Sequence, residues 1–128
     1  MTLILHESTG ADEAAMTALR ANLRAHPLAI TRASYDALID QVPPATSVDY
    51  AEAQVAGVPG VWCRPTDRRS GAAMVYLHGG VFLYGSARAY RHFVGQIVAR
   101  AGVPAFIADY RQAPDQPFPA SQSDASAL

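Results

Sequence analysis

The chain has 128 residues, of which 50% are apolar and 16% are charged, and ten basic residues nearly balance eleven acidic ones. This length suits one domain or a piece of one, and the small net charge gives no basis for binding nucleic acid or an anionic membrane. Because Cys63 is the only cysteine, no internal disulfide can form, and we expect a cytoplasmic protein.

The first 45 residues are predicted to form two amphipathic helices. The amino terminus has no basic region and no cleavage site of a secretory signal, and no apolar stretch approaches the roughly 20 residues of a membrane span. Apolar residues recur at helical spacing over 12–25 and over 31–41, and Pro27 separates the two runs. The second run places three apolar residues on one face: Tyr35, Leu38 and Ile39. We interpret residues 1–45 as cap or lid helices, although plain packing against a core explains the same pattern.

Residues 46–128 are predicted to form the first part of an α/β core. Apolar and polar residues alternate over 47–55, and a second strand-like run over 58–64 follows a turn at Gly57, which together predict an antiparallel hairpin. Pro59 cannot donate to a sheet ladder, so the second strand should lie at a sheet edge or join its next neighbour late.

A strand, a glycine-containing loop, a helix and another strand follow the hairpin. The apolar runs at 72–77 and 103–108 predict two strands that are covered on both faces. Ser86 is predicted to cap the helix between them, and Gly102 suits the position after its end. The spacing of apolar residues predicts the buried face of this helix: Phe93, Ile97, Val98 and Ala101.

The order of these elements predicts an α/β fold in which a hairpin precedes a βαβ unit. Residues 114–119 are proline-rich and irregular, and 121–128 begin a further helix. Two buried strands do not make a stable sheet, so we expect the sheet to be incomplete within this chain. A further polypeptide segment or self-association should cover the exposed apolar surface.

The most informative segment is His78-Gly79-Gly80-Val81-Phe82, directly after the first predicted buried strand. Paired glycines permit a sharp turn that exposes consecutive backbone N–H groups, and such donors suit a negative oxygen developing on a substrate carbonyl. A tight strand-to-helix turn without a ligand explains a glycine pair equally well. A phosphate-binding loop is the third interpretation, but the chain has no Walker lysine and no G-x-G-x-x-G.

A second segment, DYRQAPDQPFPA at 109–120, lies about thirty residues beyond this loop. Together the two segments resemble the bacterial hormone-sensitive-lipase-type esterases, which carry an HGGG-F or HGGG-W loop and then DYRLAPE-x-PFPA. The resemblance covers essentially all 128 residues and corresponds to the amino-terminal part of an α/β-hydrolase. It implies a carboxylic ester or lactone hydrolase that acts on small-molecule esters through a serine acyl-enzyme and needs no cofactor.

The resemblance also implies roles for individual residues. The backbone N–H groups of Gly79, Gly80 and Val81 would form an oxyanion hole, with Gly80 and Val81 as the direct donors. Phe82 and Tyr84 would line the substrate pocket. Three residues would brace the loops, the last two of them as an ion pair: His78, Asp109 and Arg111.

Two positions depart from the family pattern. Val81 stands where the family has a third glycine; it keeps its N–H, but its β-branched side chain restricts φ and adds bulk beside the substrate. Asp115 replaces a glutamate, which is a milder change. These departures leave the geometry of one donor and the width of the acyl pocket open.

No residue of the 128 fits the nucleophile of this family. Four serines near the two segments lie outside any G-x-S-x-G turn: Ser86, Ser121, Ser123 and Ser126. We therefore expect the Ser-Asp-His triad beyond Leu128 or on another chain, and we expect these 128 residues alone to be inactive.

Three interpretations of the sequence differ from an esterase. A metal site is not expected, because the chain lacks a cysteine cluster and its histidines show no ligand spacing: His6, His26, His78 and His92. A non-catalytic, hydrolase-like module that binds a ligand or a partner is the main alternative. A truncated product without independent function is the other.

Overall fold

A computed structural model gives the fold of the chain. It describes three stretches of residues: 10–25, 30–69 and 71–128. These divide into two compact units, the first ending at Ile30 and the second beginning at Thr31.

The first unit contains helix α1, which spans Gly10–Ala25. Asp12 and Glu13 lie in its first turn, where negative charge interacts favourably with the helix dipole. The first predicted helix is thereby confirmed. Pro27, predicted to interrupt it, lies outside the described residues, and the assignment of residues 1–45 to a cap stays a prediction.

The second unit is a mixed sheet with helices. Its helices are α2 (Arg32–Ile39), α3 (Ala87–Ala101) and α4 (Ala120–Ala127). Its strands are β1 (Val48–Val55), β2 (Val58–Pro65), β3 (Met74–Leu77) and β4 (Ala105–Ala108). The strand order is β1-β2-β4-β3. Strand β2 pairs antiparallel with both β1 and β4, and β3 pairs parallel with β4. The predicted hairpin, βαβ unit and α/β fold class are confirmed.

Local sequence signals fix the turns and helix ends. Ala56 and Gly57 have φ angles of 49° and 82°, and two positive φ values match the twist of a two-residue hairpin. The Ser86 side chain accepts a hydrogen bond from the N–H of Ala89 at 3.1 Å and so caps α3. Gly102, at φ 67°, ends that helix in the left-handed region, as predicted.

The core lies on both faces of the sheet. On one face, Val94 and Val98 of α3 pack against Cys63 and Ile107. Burial raises the pKa of the Cys63 thiol to about 12, so this side chain behaves as a small apolar residue. On the other face, a smaller cluster centres on Phe106 of β4.

The prediction that Pro59 marks an edge strand is wrong, and the alternative of late entry fits. Strand β2 is an inner strand between β1 and β4. Its ladder with β4 begins at Gly60, which pairs with Ala108, one residue after the proline. Pro59 therefore forfeits no ladder bond with β4, and its carbonyl accepts from the N–H of Asp109 at 2.8 Å.

The prediction that both predicted buried strands are covered on both faces holds for β4 and fails for β3. All four residues of β4 are buried, whereas Val75 and Leu77 of β3 are 51% and 48% exposed. The reason is position in the sheet, because β3 lies at its edge and none of the described elements covers that face. Two similar apolar runs are therefore buried to different extents.

The predicted buried faces of two helices are also corrected. Helix α3 packs through the row of Tyr90, Val94 and Val98, so Phe93 and Ile97 lie partly exposed beside the edge strand, and Ala101 is exposed. The helix carries two adjacent apolar rows, and the described sheet covers only one of them. In α2, Leu38 is exposed, in contrast to the prediction.

Candidate oxyanion-hole loop

The loop after β3 contains three consecutive residues with positive φ angles, a backbone conformation that favours glycine. His78 is 3% exposed, and the chain then passes through φ angles of 129° at Gly80, 51° at Val81 and 62° at Phe82. A Cβ atom on Gly80 would lie 1.9 Å from the carbonyl oxygen of Tyr84. Glycine is therefore required at this position, for both its φ and the close approach.

Three successive carbonyl groups of this loop accept hydrogen bonds from protein groups. The Tyr110 hydroxyl donates to the His78 carbonyl at 2.5 Å. The His78 ring nitrogen Nδ1 bonds the Gly79 carbonyl at 2.9 Å. The N–H groups of Leu83 and Tyr84 both donate to the Gly80 carbonyl at 2.9 Å.

These carbonyl bonds set the direction of the next three amides. In a planar trans peptide, the C=O and the following N–H point in opposite directions. The N–H groups of Gly79, Gly80 and Val81 therefore point away from the groups that hold the carbonyls. Within the described residues, none of these three N–H groups donates a hydrogen bond to the protein.

His78 is a buried, neutral brace. Its ring stacks on the rings of Tyr110 and Tyr90, with centroid distances of 4.5 Å and 5.4 Å. Burial lowers the pKa of His78 below its usual value. We assign the proton to Nδ1, because that nitrogen faces a carbonyl oxygen and Nε2 lies 3.4 Å from the Gln112 amide nitrogen. The same Gln112 nitrogen donates to the Gly85 carbonyl at 3.0 Å, which ties both ends of the loop together.

The expected ion pair between Asp109 and Arg111 is wrong, because each residue has a different partner. Asp109 accepts from the N–H of Ala87 at the start of α3, at 3.0 Å. Arg111 forms a two-pronged ion pair with Asp124 of α4, with a shortest N–O distance of 2.7 Å. The Arg111 guanidinium lowers the pKa of the Asp124 carboxyl. The two residues fix α3 and α4 separately.

The two predicted pocket residues lie in different surroundings. Phe82 is 54% exposed and contacts the edge of the Tyr110 ring, whereas the Tyr84 ring stacks on Tyr35 with centroids 5.8 Å apart. A cavity of about 330 Å³ borders Gly85 and Tyr110, but neither Phe82 nor Tyr84 lines it. Their role as pocket walls stays a prediction.

Another cavity lies far from this loop. It has a volume of about 380 Å³ and is lined by Trp62, Arg64 and Pro65, among others. The register places this cavity at the opposite end of the sheet, because Cys63 pairs with the first residue of β4 whereas the loop follows Leu77, which pairs with the last. Its residues therefore take no part in the candidate site.

Sequence reasoning missed three residues that hold the loop. Tyr110 and Gln112 lie within the second segment, but nothing in their pattern indicated bonds to His78 and Gly85. Arg32, at the start of α2, donates to the Leu83 carbonyl at 2.9 Å. No local signal could have identified this last contact, since 51 residues separate the two groups.

Comparison with known proteins agrees with this architecture. Residues 74–128 match the α/β-hydrolase fold family. A crystal structure of a hormone-sensitive lipase from a metagenome library superposes with a TM-score of 0.80 at 29% identity, covering 90% of this chain and 39% of that one. This chain has the α/β-hydrolase fold and is similar over most of its length to part of a hormone-sensitive-lipase-type esterase.

Two curated relatives of this chain carry the name acetyl-hydrolase. LipR of Mycobacterium tuberculosis is 34% identical over 79 residues, or 62% of this chain and 26% of that protein. An acetyl-hydrolase of Streptomyces hygroscopicus is 39% identical over 66 residues, or 52% of this chain and 22% of that protein. The chain thus spans about a quarter of the length of these relatives. In the part of the chain that the structure describes, no helix is long and apolar enough to cross a membrane.

Proposed function

We propose that this chain supplies the oxyanion hole of a serine carboxylesterase that works through an acyl-enzyme. The observation that carries the proposal is that the His78, Gly79 and Gly80 carbonyls all accept hydrogen bonds within the protein, whereas the three N–H groups of the same peptides have no protein acceptor in the described structure. Gly80 and Val81 are the direct donors. Each such donor contributes about 3 kcal/mol to the stabilisation of an oxyanion in known acyl-transfer enzymes.

The reaction also needs an activated serine, which these 128 residues do not provide. They contain no G-x-S-x-G, and His78 cannot act as the base because its ring is buried between two tyrosines and occupied by the Gly79 carbonyl. A donor loop without a nucleophile stabilises an intermediate that nothing forms. The 128 residues alone are therefore inactive in this proposal.

Small acyl esters or lactones are the proposed substrates. Two relatives are named acetyl-hydrolases, and the Val81 side chain stands beside the proposed donors with 73% of its surface exposed. A branched side chain in place of a glycine hydrogen narrows the space next to the bound carbonyl. The acyl group that fits best is accordingly short, and no cofactor is needed.

The triad-bearing part would also complete the sheet. Strand β3 has a free edge within the described sheet, and apolar side chains flank that edge on both faces. They are Val75 and Leu77 on one face, and Phe93 and Ile97 on the other. A carboxy-terminal hydrolase segment is the proposed occupant, and self-association is the alternative. The predicted cytoplasmic location remains a prediction.

One observation favours the non-catalytic alternative, a module that binds a ligand without turning it over. Val81 is held at φ 51°, a conformation that β-branched residues rarely adopt, at the position of the third family glycine. A donor fixed with this strain could be displaced from the position that the transition state requires. The same amides would then bind an anionic ligand rather than assist a reaction.

A chimeric protein tests the proposal. The carboxy-terminal part of the Streptomyces acetyl-hydrolase, including its nucleophile and base, is joined to this chain, and hydrolysis of p-nitrophenyl acetate is followed. We expect turnover that is abolished when the appended nucleophilic serine is replaced by alanine, and none from the 128 residues alone. A folded chimera that binds acetate but never hydrolyses the ester would support the binding module instead.

A further inference from the structure

Arg32 contacts both loops that surround the proposed oxyanion hole. Its Nε donates to the Leu83 carbonyl at 2.9 Å, and one terminal nitrogen donates to the Ala113 carbonyl at 2.6 Å. The other terminal nitrogen lies 2.7 Å from the Asp115 carboxylate. One guanidinium thus joins three acceptors that come from two different segments.

These contacts close a ring of hydrogen bonds. The N–H of Ala113 donates to the Phe82 carbonyl at 3.0 Å, so the two loops already share one backbone bond. Arg32 bridges the next carbonyl on each side, at Leu83 and Ala113. The N–H of Leu83 in turn holds the Gly80 carbonyl, whose peptide carries the Val81 donor. A short chain of bonds therefore connects Arg32 to that amide.

The backbone that carries Arg32 is itself anchored. Thr31 caps α2, and the Ser34 hydroxyl oxygen accepts a hydrogen bond from the Thr31 N–H, which completes a capping box. Two side chains then fasten the helix to α3: Tyr35 bonds the Tyr90 hydroxyl at 2.9 Å, and Asp36 accepts from Ser86 at 2.7 Å. The guanidinium is consequently presented from a fixed position.

We propose that Arg32 is a positioning residue that holds the donor amide of Val81 in place by bridging the Leu83 and Ala113 carbonyls. This inference rests on the proposed function for its catalytic meaning. The planar guanidinium is essential, because its donors diverge in fixed directions toward separate acceptors, which a lysine ammonium on a flexible stem cannot reproduce.

The ion pair with Asp115 is the smaller part of this arrangement. The two side chains are 45% and 69% exposed, and exposed ion pairs contribute little to stability. The carbonyl bonds are different, since each fixes a main-chain group of a loop. Asp115→Asn should therefore leave the loop almost unchanged, whereas loss of the guanidinium should release it.

Amide hydrogen exchange on the chain itself, read by NMR, provides the test. In Arg32→Ala we expect protection of the Leu83, Tyr84 and Ala113 amides to fall about tenfold, as for loss of charge-assisted hydrogen bonds. The resonances of Gly80 and Val81 should shift as well. Arg32→Lys should restore only a small part of the protection, and it also serves if the alanine variant folds poorly.

Arg64→Ala is the matched control, because Arg64 is also a half-exposed arginine, paired with Asp49 at the far end of the sheet. It should leave the loop amides unchanged. Unaltered protection in a folded Arg32 variant, or an equal loss throughout α3 and β4, would overturn the proposal. The readout involves no ester, so it fails or succeeds independently of the esterase assignment. In an active chimera, the corresponding expectation is a lower kcat with KM little changed.

Discussion

The loops after the two parallel strands, His78–Tyr84 after β3 and Asp109–Asp115 after β4, differ in how they use their polar groups. The loop after β4 is rich in charged and polar side chains, and these are engaged with the protein: Asp109 with α3, Arg111 with α4. The loop after β3 has no charged side chain apart from His78, which is neutral when buried. Its polar groups without a protein partner in the described structure include the backbone N–H groups of Gly79, Gly80 and Val81.

This difference separates positioning from chemistry. Charged side chains are common candidates for chemistry in a sequence, but in the loop after β4 Asp109 and Arg111 hold helices α3 and α4 in place. The groups that we propose to bind a ligand are main-chain N–H groups, which every residue except proline has and which a sequence motif of side chains therefore does not mark. The loop after β4 holds α3, α4 and the His78 carbonyl through its side chains. The loop after β3 is one of the parts that it holds in place.

The largest effect should follow from a side chain at the tightest point of the loop after β3. Gly80→Ala places a Cβ 1.9 Å from the Tyr84 carbonyl oxygen at a φ of 129°, so the turn must rearrange. We expect a loss of about 2–3 kcal/mol in the free energy of unfolding by urea. Gly79→Ala is the matched control, because its Cβ would lie 3.3 Å from the Tyr90 hydroxyl and should cost less than about 1 kcal/mol. Equal losses in the two variants would contradict the described turn.

A smaller effect of opposite sign should follow from restoring the third glycine. Val81→Gly removes a Cβ from the left-handed region, which should stabilise the folded state by about 1–2 kcal/mol. The greater conformational entropy of glycine in the unfolded chain should offset this gain by about 0.5–1 kcal/mol. The net gain should be about 0.5–1 kcal/mol in urea unfolding. Val81→Ala keeps the Cβ at φ 51° and should gain nothing. In the chimera, a large rise in turnover on Val81→Gly would show that valine impairs the hole.

The smallest effect should be a pH dependence from His78. Burial lowers its pKa in the folded state, partly opposed by Gly79, Asp109 and Asp36, so the unfolded chain, with a pKa of about 6.5, binds the proton first as pH falls. Stability is therefore complete above about pH 6.5 and declines below it until the folded-state pKa is reached. Urea unfolding between about pH 7.5 and about pH 5.5 should show this slope. His78→Gln should flatten it, and an identical slope in both proteins would disprove the assignment.

Much of the fold follows from local signals in the sequence. The hairpin, the cap at Ser86, the left-handed Gly102 and the buried strand β4 depend on interactions within a few residues or on strong apolar runs. The burial of β3 and the choice of the buried row of α3 do not follow from local signals, because they depend on which neighbouring element covers each face. Of two similar apolar runs, β4 is buried inside the sheet, whereas β3 is half exposed at its edge.

The candidate site was accessible from sequence only in part. The glycine pair marks the loop, since a turn with a φ of 129° demands glycine. The partners of Asp109 and Arg111 were assigned wrongly, because pairing depends on where α3 and α4 begin relative to β4. Arg32 carried no signal, as its contacts join segments more than 50 residues apart.

Titration of the isotope-labelled chain with sodium acetate, followed through the backbone amide resonances, tests most directly whether these N–H groups are ready to receive negative charge. The account predicts saturable downfield shifts of the Gly80 and Val81 amide protons, with little change at Leu83 and Tyr84, whose N–H groups are already bonded. Shifts at Gly80 and Val81 no larger than that of the exposed Gly71 would contradict it.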